Sequence, residues 1–282
     1  MEMKVVFMKA ICELCPHHCA LSEGQTGFCR ARRNVGGRIH SLNYGKISSL
    51  ALDPIEKKPL ARFHPGSYIL SVGSFGCNLR CPFCQNYEIS QADERFPVRE
   101  ISPEAMVELA VGLSREAPGN LGVAFTYNEP LIGYEYVLDT AKLLREEGLL
   151  VVLVTNGMIE EEPLRRLLPY VDAMNIDLKA FREEFYDWVK GDFRAVQRTI
   201  SLAAKACHVE VTTLAVPGKN DSLEDMDAEA AWLASLDPDI PLHISRYFPR
   251  WQMEDPATGI GRIHELCHVA KRYLNYVYTG NC

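Results

Sequence analysis

One apolar, strand-like segment runs directly into a loop with three cysteines: Tyr68-Ile69-Leu70-Ser71-Val72 precedes Gly76-Cys77-Asn78-Leu79-Arg80-Cys81-Pro82-Phe83-Cys84-Gln85-Asn86. Three thiolates at C-x3-C-x2-C spacing can bind three corners of a cubane iron–sulfur cluster, because such iron prefers soft sulfur ligands. No fourth cysteine follows nearby, so one iron would stay open to an exogenous ligand, and an open position indicates chemistry. The alternatives are three structural thiols or a zinc site, although zinc usually takes paired C-x2-C knuckles and a fourth ligand.

Short apolar segments alternate with amphipathic segments from residue 67 onward. The centre of one predicted strand, Leu150-Val151-Val152-Leu153-Val154, is apolar throughout, as is typical of a parallel strand buried on both faces. We therefore predict an α/β fold, a partial (β/α)6 TIM-like barrel, whose chemistry gathers at the carboxyl ends of the strands. The predicted strands are 68–74, 122–127, 149–155, 173–178, 209–214 and 242–246, and the predicted helices are 103–115, 131–147, 161–168, 182–189, 193–206 and 223–236.

The first part of the chain has a different character. Residues 1–66 are rich in Cys, Gly, His and Arg and show little periodicity, so we predict a small Cys-rich N-terminal extension (1–66) before the barrel (67–282). Tetrathiolate zinc and an auxiliary iron–sulfur cluster are both compatible with its cysteines, and the C-x2-C knuckle slightly favours zinc. The candidate ligands are Cys12, Cys15, Cys19 and Cys29, with His17 or His18 as substitutes for one thiol.

Composition limits the class of protein. With 282 residues, 47% of them hydrophobic, the chain can bury the core of one large domain or of a barrel with a small appendage. A net charge of −7 without a long basic run disfavours nucleic acid as the main partner. No apolar stretch approaches the roughly 20 residues that span a bilayer, and residues 1–9 are too short and too charged for a signal peptide. Clustered cysteines then indicate metal binding in a reducing compartment, so we expect a cytoplasmic protein without a membrane partner.

Polar side chains follow several predicted strands at the point where each strand ends. Strand alternation places Asp177 and Lys179 on one side of their strand. The residues alone also allow simpler roles: Glu129 as a helix cap, Asp177 and Lys179 as a buried ion pair, and His243 as a satisfied core histidine. The candidates for ligand contacts are Asn128, Glu129, Thr155, Asn156, Asp177, Lys179, His243 and Arg246.

The cysteine spacing, the preceding Gly76, the aromatic Phe83 and the following Asn86 together resemble the signature of the radical S-adenosylmethionine (SAM) superfamily. Over nearly the whole chain the arrangement resembles the radical SAM enzyme of the AmmeMemoRadiSam system and relatives of the pyruvate formate-lyase activating enzyme. The segments that carry the resemblance are 12–16, 53–60, 76–86, 127–130, 177–179 and 278–281.

This resemblance implies a [4Fe-4S] cluster on Cys77, Cys81 and Cys84, with SAM at the open iron. It implies that Phe83 lies beside the SAM adenine and that Glu129 accepts a hydrogen bond from the methionine amino group. Tyr127-Asn128 stands where the family usually has two glycines. The segment Asp177-Leu178-Lys179 is similar to a motif of glycyl-radical-enzyme activating enzymes that helps to hold the SAM carboxylate and ribose.

The resemblance implies an oxidoreductase that reductively cleaves SAM to methionine and a 5′-deoxyadenosyl radical, which abstracts hydrogen from a substrate. We expect a protein substrate, as for glycyl-radical activators, and an electron donor such as flavodoxin or ferredoxin; no acid–base pair is needed. One alternative is radical modification of a small molecule, an RNA base or a peptide side chain. Another is a non-catalytic iron–sulfur or zinc-binding partner protein, which would predict loss of a cluster cysteine or of Glu129, and all of these residues are present.

Overall fold

The computed structural model describes residues 9–282. The first eight residues, which make up most of the segment judged above for a signal peptide, lie outside the described part. Within that part, no helix combines the length and the apolar character needed to cross a bilayer.

The described strands are numbered in chain order. They are β1 Ala10–Ile11, β2 Ala20–Leu21, β3 Arg32–Val35, β4 Arg38–Ser41, β5 Lys46–Ile47, β6 Ser49–Pro54, β7 Tyr68–Gly73, β8 Arg99–Glu100, β9 Gly122–Phe125, β10 Leu150–Thr155, β11 Ala173–Asp177, β12 His208–Ala215, β13 Leu242–Arg246 and β14 Val277–Gly280. The α-helices are α1 Tyr87–Ser90, α2 Pro103–Ser114, α3 Tyr134–Glu146, α4 Glu161–Leu167, α5 Glu183–Val189, α6 Phe193–Ala203, α7 Leu223–Leu236 and α8 Ile260–Ala270. Single 3₁₀ turns cover Ile55–Lys57, Pro130–Gly133 and Leu168–Tyr170.

The main sheet has eight strands in the order β14-β13-β12-β11-β10-β9-β7-β6. From β7 to β14 all neighbours are parallel, whereas β6 pairs antiparallel with β7 at one edge. The six predicted strands correspond to β7 and β9–β13, with ends that agree within two residues, and the predicted partial-barrel class is confirmed. The sequence did not predict β6, β14 or α8. Because β6 belongs to this sheet, the sheet begins before residue 67, inside the predicted extension.

Local sequence explains where the helices begin. Ser102 and Ser222 stand before α2 and α7, and their hydroxyls accept hydrogen bonds from Ala105 N (3.2 Å) and Asp225 N (3.0 Å). Asp192 caps α6 in the same way, at 2.8 Å from Ala195 N. Each cap satisfies one backbone N–H that the first helical turn leaves without a partner.

The segment between β6 and β7 packs across the amino ends of the parallel strands. Its Ile55 and Leu60 are fully buried against inward-facing residues of four strands, Ile69, Ala124, Val152 and Ala173. The carboxylate of Glu210 in β12 accepts hydrogen bonds from Ala61 N (2.9 Å) and Arg62 N (2.8 Å). The guanidinium of Arg62 lies 3.6 Å from the ring centroid of Tyr276, just before β14. The segment thus forms a floor, and the opposite, carboxyl ends of the strands stay open for a site.

Candidate active site

A cavity of about 370 Å³ lies at the carboxyl ends of the main sheet. The loop after β7 contributes Cys77, Cys81 and Cys84 to its wall, so the structure brings the three predicted cluster ligands together. The cavity opens to solvent, because part of its lining is exposed. The exposed lining residues are Lys57, Gln85, Asn86 and Asn281. The other predicted residues on the wall are Phe83, Asn128, Glu129, Thr155, Asn156, Asp177 and Lys179.

At the cavity wall Cys81 is buried, and Cys77 and Cys84 are half-buried. Burial raises the pKa of Cys81 to about 12 and also raises the pKa values of Cys77 and Cys84, and the neighbouring Cys84 raises the pKa values of Cys77 and Cys81 further. Such thiols stay neutral without a cation, whereas metal binding deprotonates a coordinating thiol. Within residues 9–282, no three His, Cys, Asp or Glu side chains surround one point as the ligands of a single ion would. A cubane cluster has no such requirement, since each cysteine binds a different iron, and the three thiols beside open volume fit it.

The residues in place of the two family glycines keep the loop in position. Tyr127 has φ +70°, a left-handed conformation that glycine adopts without strain and other residues adopt rarely. Asn128 accepts a hydrogen bond from Ser74 N (2.9 Å) and donates one to the carbonyl oxygen of Gly76 (3.1 Å). The side chain of Asn128 therefore ties the end of β9 to the start of the cysteine loop.

Glu129 lies almost fully buried on the cavity wall. Its carboxylate accepts hydrogen bonds from Leu131 N (2.9 Å), the Thr155 hydroxyl (2.6 Å) and Asn156 N (2.8 Å). The cap role considered from the sequence is thus present, and one of about four lone-pair directions remains for a ligand. Burial raises the pKa of Glu129 to about 7 despite these hydrogen bonds, which lower it.

Asp177 and Lys179 meet on the cavity wall as the strand alternation predicted. Their Oδ2 and Nζ atoms are 2.6 Å apart, while the intervening Leu178 points into the core. Burial opposes the charge on Lys179, but the Asp177 carboxylate outweighs it and raises the pKa of the ammonium. A fixed cation beside the cysteines can attract a ligand carboxylate.

An aromatic group borders the cysteine loop. The Phe83 ring is buried, with centroid distances of 5.6 Å to Trp188 and 6.1 Å to Phe185. On the other side, Asn156 Nδ2 lies 2.9 Å from Asn78 Oδ1 and 3.7 Å from Cys77 Sγ. The cysteine loop therefore contacts aromatic rings through Phe83 and the side-chain amide of Asn156 through Cys77 and Asn78.

His243 and Arg246 do not line this cavity. His243 Nε2 is 2.6 Å from Glu210 Oε2, and its ring stacks on Tyr278, so it supports the floor of the sheet as a satisfied core histidine. Arg246 Nε donates to the carbonyl oxygen of Thr258 (2.6 Å), and its guanidinium lies over Phe248. Both side chains are engaged outside the cavity in this structure, and their expected contact with a ligand stays a prediction.

Sequence reasoning gave no role to the segment 53–60, although it carries part of the resemblance. In the structure Asp53 accepts hydrogen bonds from the Tyr127 hydroxyl (2.6 Å), Lys58 Nζ (2.9 Å) and Lys57 Nζ (3.2 Å). Lys58 is buried, whereas Lys57 is exposed and lines the cavity. Two ammonium groups therefore share one carboxylate beside the cavity, and of the two only Lys57 belongs to its lining.

The four N-terminal cysteines also lie near one another. Cys12, Cys15 and Cys29 are buried, and the Cys12 N–H donates to the carbonyl oxygen of Cys19 at 3.0 Å. Burial raises the pKa of Cys15 to about 12, and the thiols of Cys29 and Cys12 raise it further. Since their thiols do not yet surround one point, binding one ion there requires these side chains to turn towards each other.

The fold and the cavity together define an α/β enzyme with an iron–sulfur cluster loop at the carboxyl edge of its sheet. The family model described as "Radical SAM superfamily" matches residues 71–233 of this chain. The chain therefore belongs to this superfamily, as the sequence predicted. The family implies a [4Fe-4S] cluster and SAM, and the three-cysteine wall described above fits the cluster.

Known proteins of several kinds are similar to this chain. An uncharacterised protein of Methanocaldococcus jannaschii is 41% identical over 278 residues, or 97% of this chain and 81% of that protein. The pyruvate formate-lyase 1-activating enzyme of Escherichia coli K12 is 26% identical over 152 residues, or 52% of this chain and 60% of that enzyme. A radical SAM methyltransferase from Sphaerobacter thermophilus superposes with a TM-score of 0.57 at 18% identity, over 77% of this chain and 67% of that one, which shows the fold alone.

Proposed function

We propose that this radical SAM enzyme abstracts a hydrogen atom from a protein substrate. The cluster and SAM, when bound, supply a 5′-deoxyadenosyl radical, and the rest of the site must position a substrate C–H bond beside it. One observation carries the proposal. The volume of the cavity is at the small end of the range for ligand pockets (about 300–1,000 Å³), and its lining includes exposed residues. SAM would fill most of it, so the substrate must approach from outside, as an exposed polypeptide segment does. The partial similarity to a pyruvate formate-lyase activating enzyme supports the same class.

Named residues have proposed tasks in this reaction. Cys77, Cys81 and Cys84 hold the cluster, and Glu129 accepts a hydrogen bond from the SAM ammonium through its remaining lone pair. Lys179 pairs with the SAM carboxylate, with Asp177 fixing its position. Phe83 contributes an apolar face for the adenine, and the other polar residues orient these groups: Asn128, Thr155 and Asn156.

We further propose a metal centre on Cys12, Cys15, Cys19 and Cys29, either Zn²⁺ or an auxiliary iron–sulfur cluster, because four thiolates at this spacing suit both. A small redox protein of the flavodoxin or ferredoxin type would reduce the cluster. A cytoplasmic setting suits these sites, since none of the ten cysteines, all within the described residues, forms a disulfide.

The source of the abstracted hydrogen tests the substrate class. The reconstituted enzyme is incubated with SAM, a reductant and fractions of a lysate from cells grown on deuterated medium, and 5′-deoxyadenosine is analysed by mass spectrometry. We expect deuterium in 5′-deoxyadenosine only with the macromolecular fraction, with loss after protease treatment and not after ribonuclease treatment. Deuterium transfer from the small-molecule fraction, or loss after ribonuclease, would contradict a protein substrate.

A further inference from the structure

Glu229 is a buried acid that lies outside the active-site cavity and has no task in the proposed reaction. It belongs to α7, and the other buried residues of this helix are apolar: Met226, Ala230 and Leu233. The side chain of Glu229 lies on the same helix face, and the residue is only 2% exposed. An acid at such a position must either find a partner for its charge or stay uncharged.

The surroundings of Glu229 favour the uncharged form. Within residues 9–282 its carboxyl group forms one hydrogen bond, with the Thr213 hydroxyl of β12 at 2.5 Å, and no ion pair. Burial raises the pKa of Glu229 to about 8, and the contact with Thr213 offsets this only in part, so the group is protonated at neutral pH. In Glu210 burial has the same direction, but hydrogen bonds to His208 and His243 lower the pKa to about 2. The two buried acids therefore differ in charge because they differ in partners.

The Thr213 hydroxyl lies between two oxygen atoms, and counting its hydrogens locates the proton. Its Oγ1 is 2.5 Å from Glu229 Oε1 and 3.0 Å from the carbonyl oxygen of Leu178. A hydroxyl has a single hydrogen to donate, although it can also accept. If Glu229 is ionised, one of the two oxygens has no donor, which is costly in a buried place. If Glu229 is protonated, it donates to Thr213, Thr213 donates to Leu178, and all three groups are satisfied.

The peptide bond between Leu178 and Lys179 is held from both sides. Its carbonyl oxygen contacts Thr213, and its N–H, that of Lys179, donates to the Tyr186 hydroxyl of α5 at 3.0 Å. The next carbonyl oxygen, also of Lys179, accepts from Asn220 Nδ2 at 2.6 Å. Lys179 lines the cavity, so side chains from outside its own strand fix the backbone from which its ammonium reaches the wall.

Tyr186 is the ionisable group of α5 that lies near both Glu229 and Lys179. Burial raises its pKa, and the neighbouring Glu229 raises it further, whereas Lys179 lowers it. The phenol is therefore neutral at neutral pH and gives the acid no cation to pair with. The uncharged form of Glu229 is the one that this environment accommodates.

We propose that Glu229 is a positioning residue for SAM: it carries a proton, donates it in a hydrogen bond to Thr213, and so frees the Thr213 hydroxyl to hold the peptide bond before Lys179. This inference rests on the proposed contact between Lys179 and the SAM carboxylate, and it adds what keeps that lysine in place. Glu229 does not line the cavity and acts through Thr213 alone. A neutral amide can make the same donation, and an apolar side chain cannot.

SAM affinities of matched variants test this role. The dissociation constant is measured on the cluster-loaded protein by anaerobic calorimetry, and urea unfolding is measured on the same samples. Glu229→Gln should bind SAM within about twofold of the parent, because the amide still donates to Thr213. Glu229→Leu, an apolar residue on an apolar helix face, should fold but bind SAM about threefold more weakly or worse, the effect of one hydrogen bond. Glu224→Leu, at an exposed position in the first turn of α7, is the control and should not change SAM affinity.

Two further measurements keep the inference testable if Glu229→Leu does not fold. Thr213→Val removes the same connection from its other end and should weaken SAM binding equally, and the double variant with Glu229→Leu should be no weaker than either single one. Infrared spectra of the metal-free protein at neutral pH should show the carbonyl band of a protonated carboxyl group that Glu229→Gln lacks. The difference between these two spectra separates Glu229 from Glu129, which both proteins keep.

Several results would overturn the inference. They are parent-like SAM affinity in Glu229→Leu, a loss in Glu229→Gln as large as in Glu229→Leu, additive losses in the double variant, or an infrared difference without a protonated carboxyl band. Weaker binding by Glu229→Leu together with unchanged binding by Lys179→Met would show that the acid acts through another group, and would overturn both the inference and the lysine contact. None of these measurements depends on whether the substrate is a protein.

Discussion

The Thr155 hydroxyl, at the end of β10, donates a hydrogen bond of 2.6 Å to the Glu129 carboxylate, which follows β9. This bond joins the ends of two neighbouring strands at the cavity wall. It also leaves Glu129 with an acceptor position that a ligand ammonium can use. The protonation state of Glu129 therefore governs what this wall can bind.

The first prediction concerns the pH dependence of SAM binding. Burial raises the pKa of Glu129 to about 7, so the carboxylate is ionised above that pH and protonated below it. SAM affinity of the cluster-loaded protein should fall about tenfold between roughly pH 8 and pH 6, and Glu129→Gln should bind weakly without this dependence. Isothermal titration calorimetry under anaerobic conditions measures both. A flat profile in the parent protein would show that Glu129 does not contact the ammonium.

The same pKa shift has the opposite effect on folding stability. Because the folded-state pKa of Glu129 is raised, its contribution is fully present below the unfolded-state value and is lost as the pH rises through about 7. The metal-free parent should therefore lose stability relative to Glu129→Gln over this range. Urea unfolding at several pH values measures the difference, and parallel stability curves for the two proteins would contradict it.

A second prediction concerns the ion pair at the end of β11. Lys179→Met removes the cation beside the cysteine loop and leaves Asp177 without its partner at 2.6 Å. Since hydrogen bonds to charged groups contribute about 1.5–3 kcal/mol, SAM affinity should fall about tenfold or more. Lys205→Met, at an exposed lysine after α6, is the control. Unchanged SAM affinity in Lys179→Met, with normal iron content, would rule out the carboxylate contact.

A third prediction concerns Gly76. Alanine there would place Cβ 2.5 Å from the carbonyl oxygen of Cys29, in addition to the strain of φ +88°. Gly36→Ala provides the matched control, because Gly36 has φ +61° and open space around it. Both variants should lose about 1 kcal/mol from backbone strain, and Gly76→Ala should lose more and retain less iron. Equal unfolding temperatures and equal iron in the two variants would contradict the close approach.

A fourth prediction separates two adjacent lysines that share the carboxylate of Asp53. Lys58 has a side chain only 3% exposed, whereas that of Lys57 is 66% exposed. Lys58→Met breaks a buried pair and should destabilise the fold by about 3 kcal/mol, while Lys57→Met should cost less than about 1 kcal/mol. Chemical denaturation measures both values. A larger loss in Lys57→Met than in Lys58→Met would contradict the arrangement.

The sequence predicts the sheet well because its signal is local. Apolar runs such as residues 150–154 and caps such as Ser222 set strands and helices without reference to distant residues. In contrast, β6 and β14 are edge strands with mixed burial, so their residues lack the continuous apolar pattern. Their pairing depends on the neighbouring strand rather than on their own sequence.

The positions of several candidate site residues could also be predicted from the sequence, as the strands of the sheet could. Residues next to strand ends, such as Glu129 and Asp177, lie on the cavity wall because parallel strands bring their carboxyl ends together. His243 was expected there as well, but its partner Glu210 lies 33 residues away in the chain, and the sequence alone could not show that pair. The contact between Asp53 and Tyr127, 74 residues apart, escaped for the same reason.

The formation of 5′-deoxyadenosine tests the central claim most directly. The reconstituted parent and Cys81→Ala are reduced with SAM under anaerobic conditions, and 5′-deoxyadenosine and methionine are quantified together with iron and sulfide. The account predicts equal amounts of the two products from the parent and none above background from Cys81→Ala. No cleavage by a parent protein with a full [4Fe-4S] cluster and bound SAM, with the lysate fractions present, would contradict radical SAM chemistry at this site.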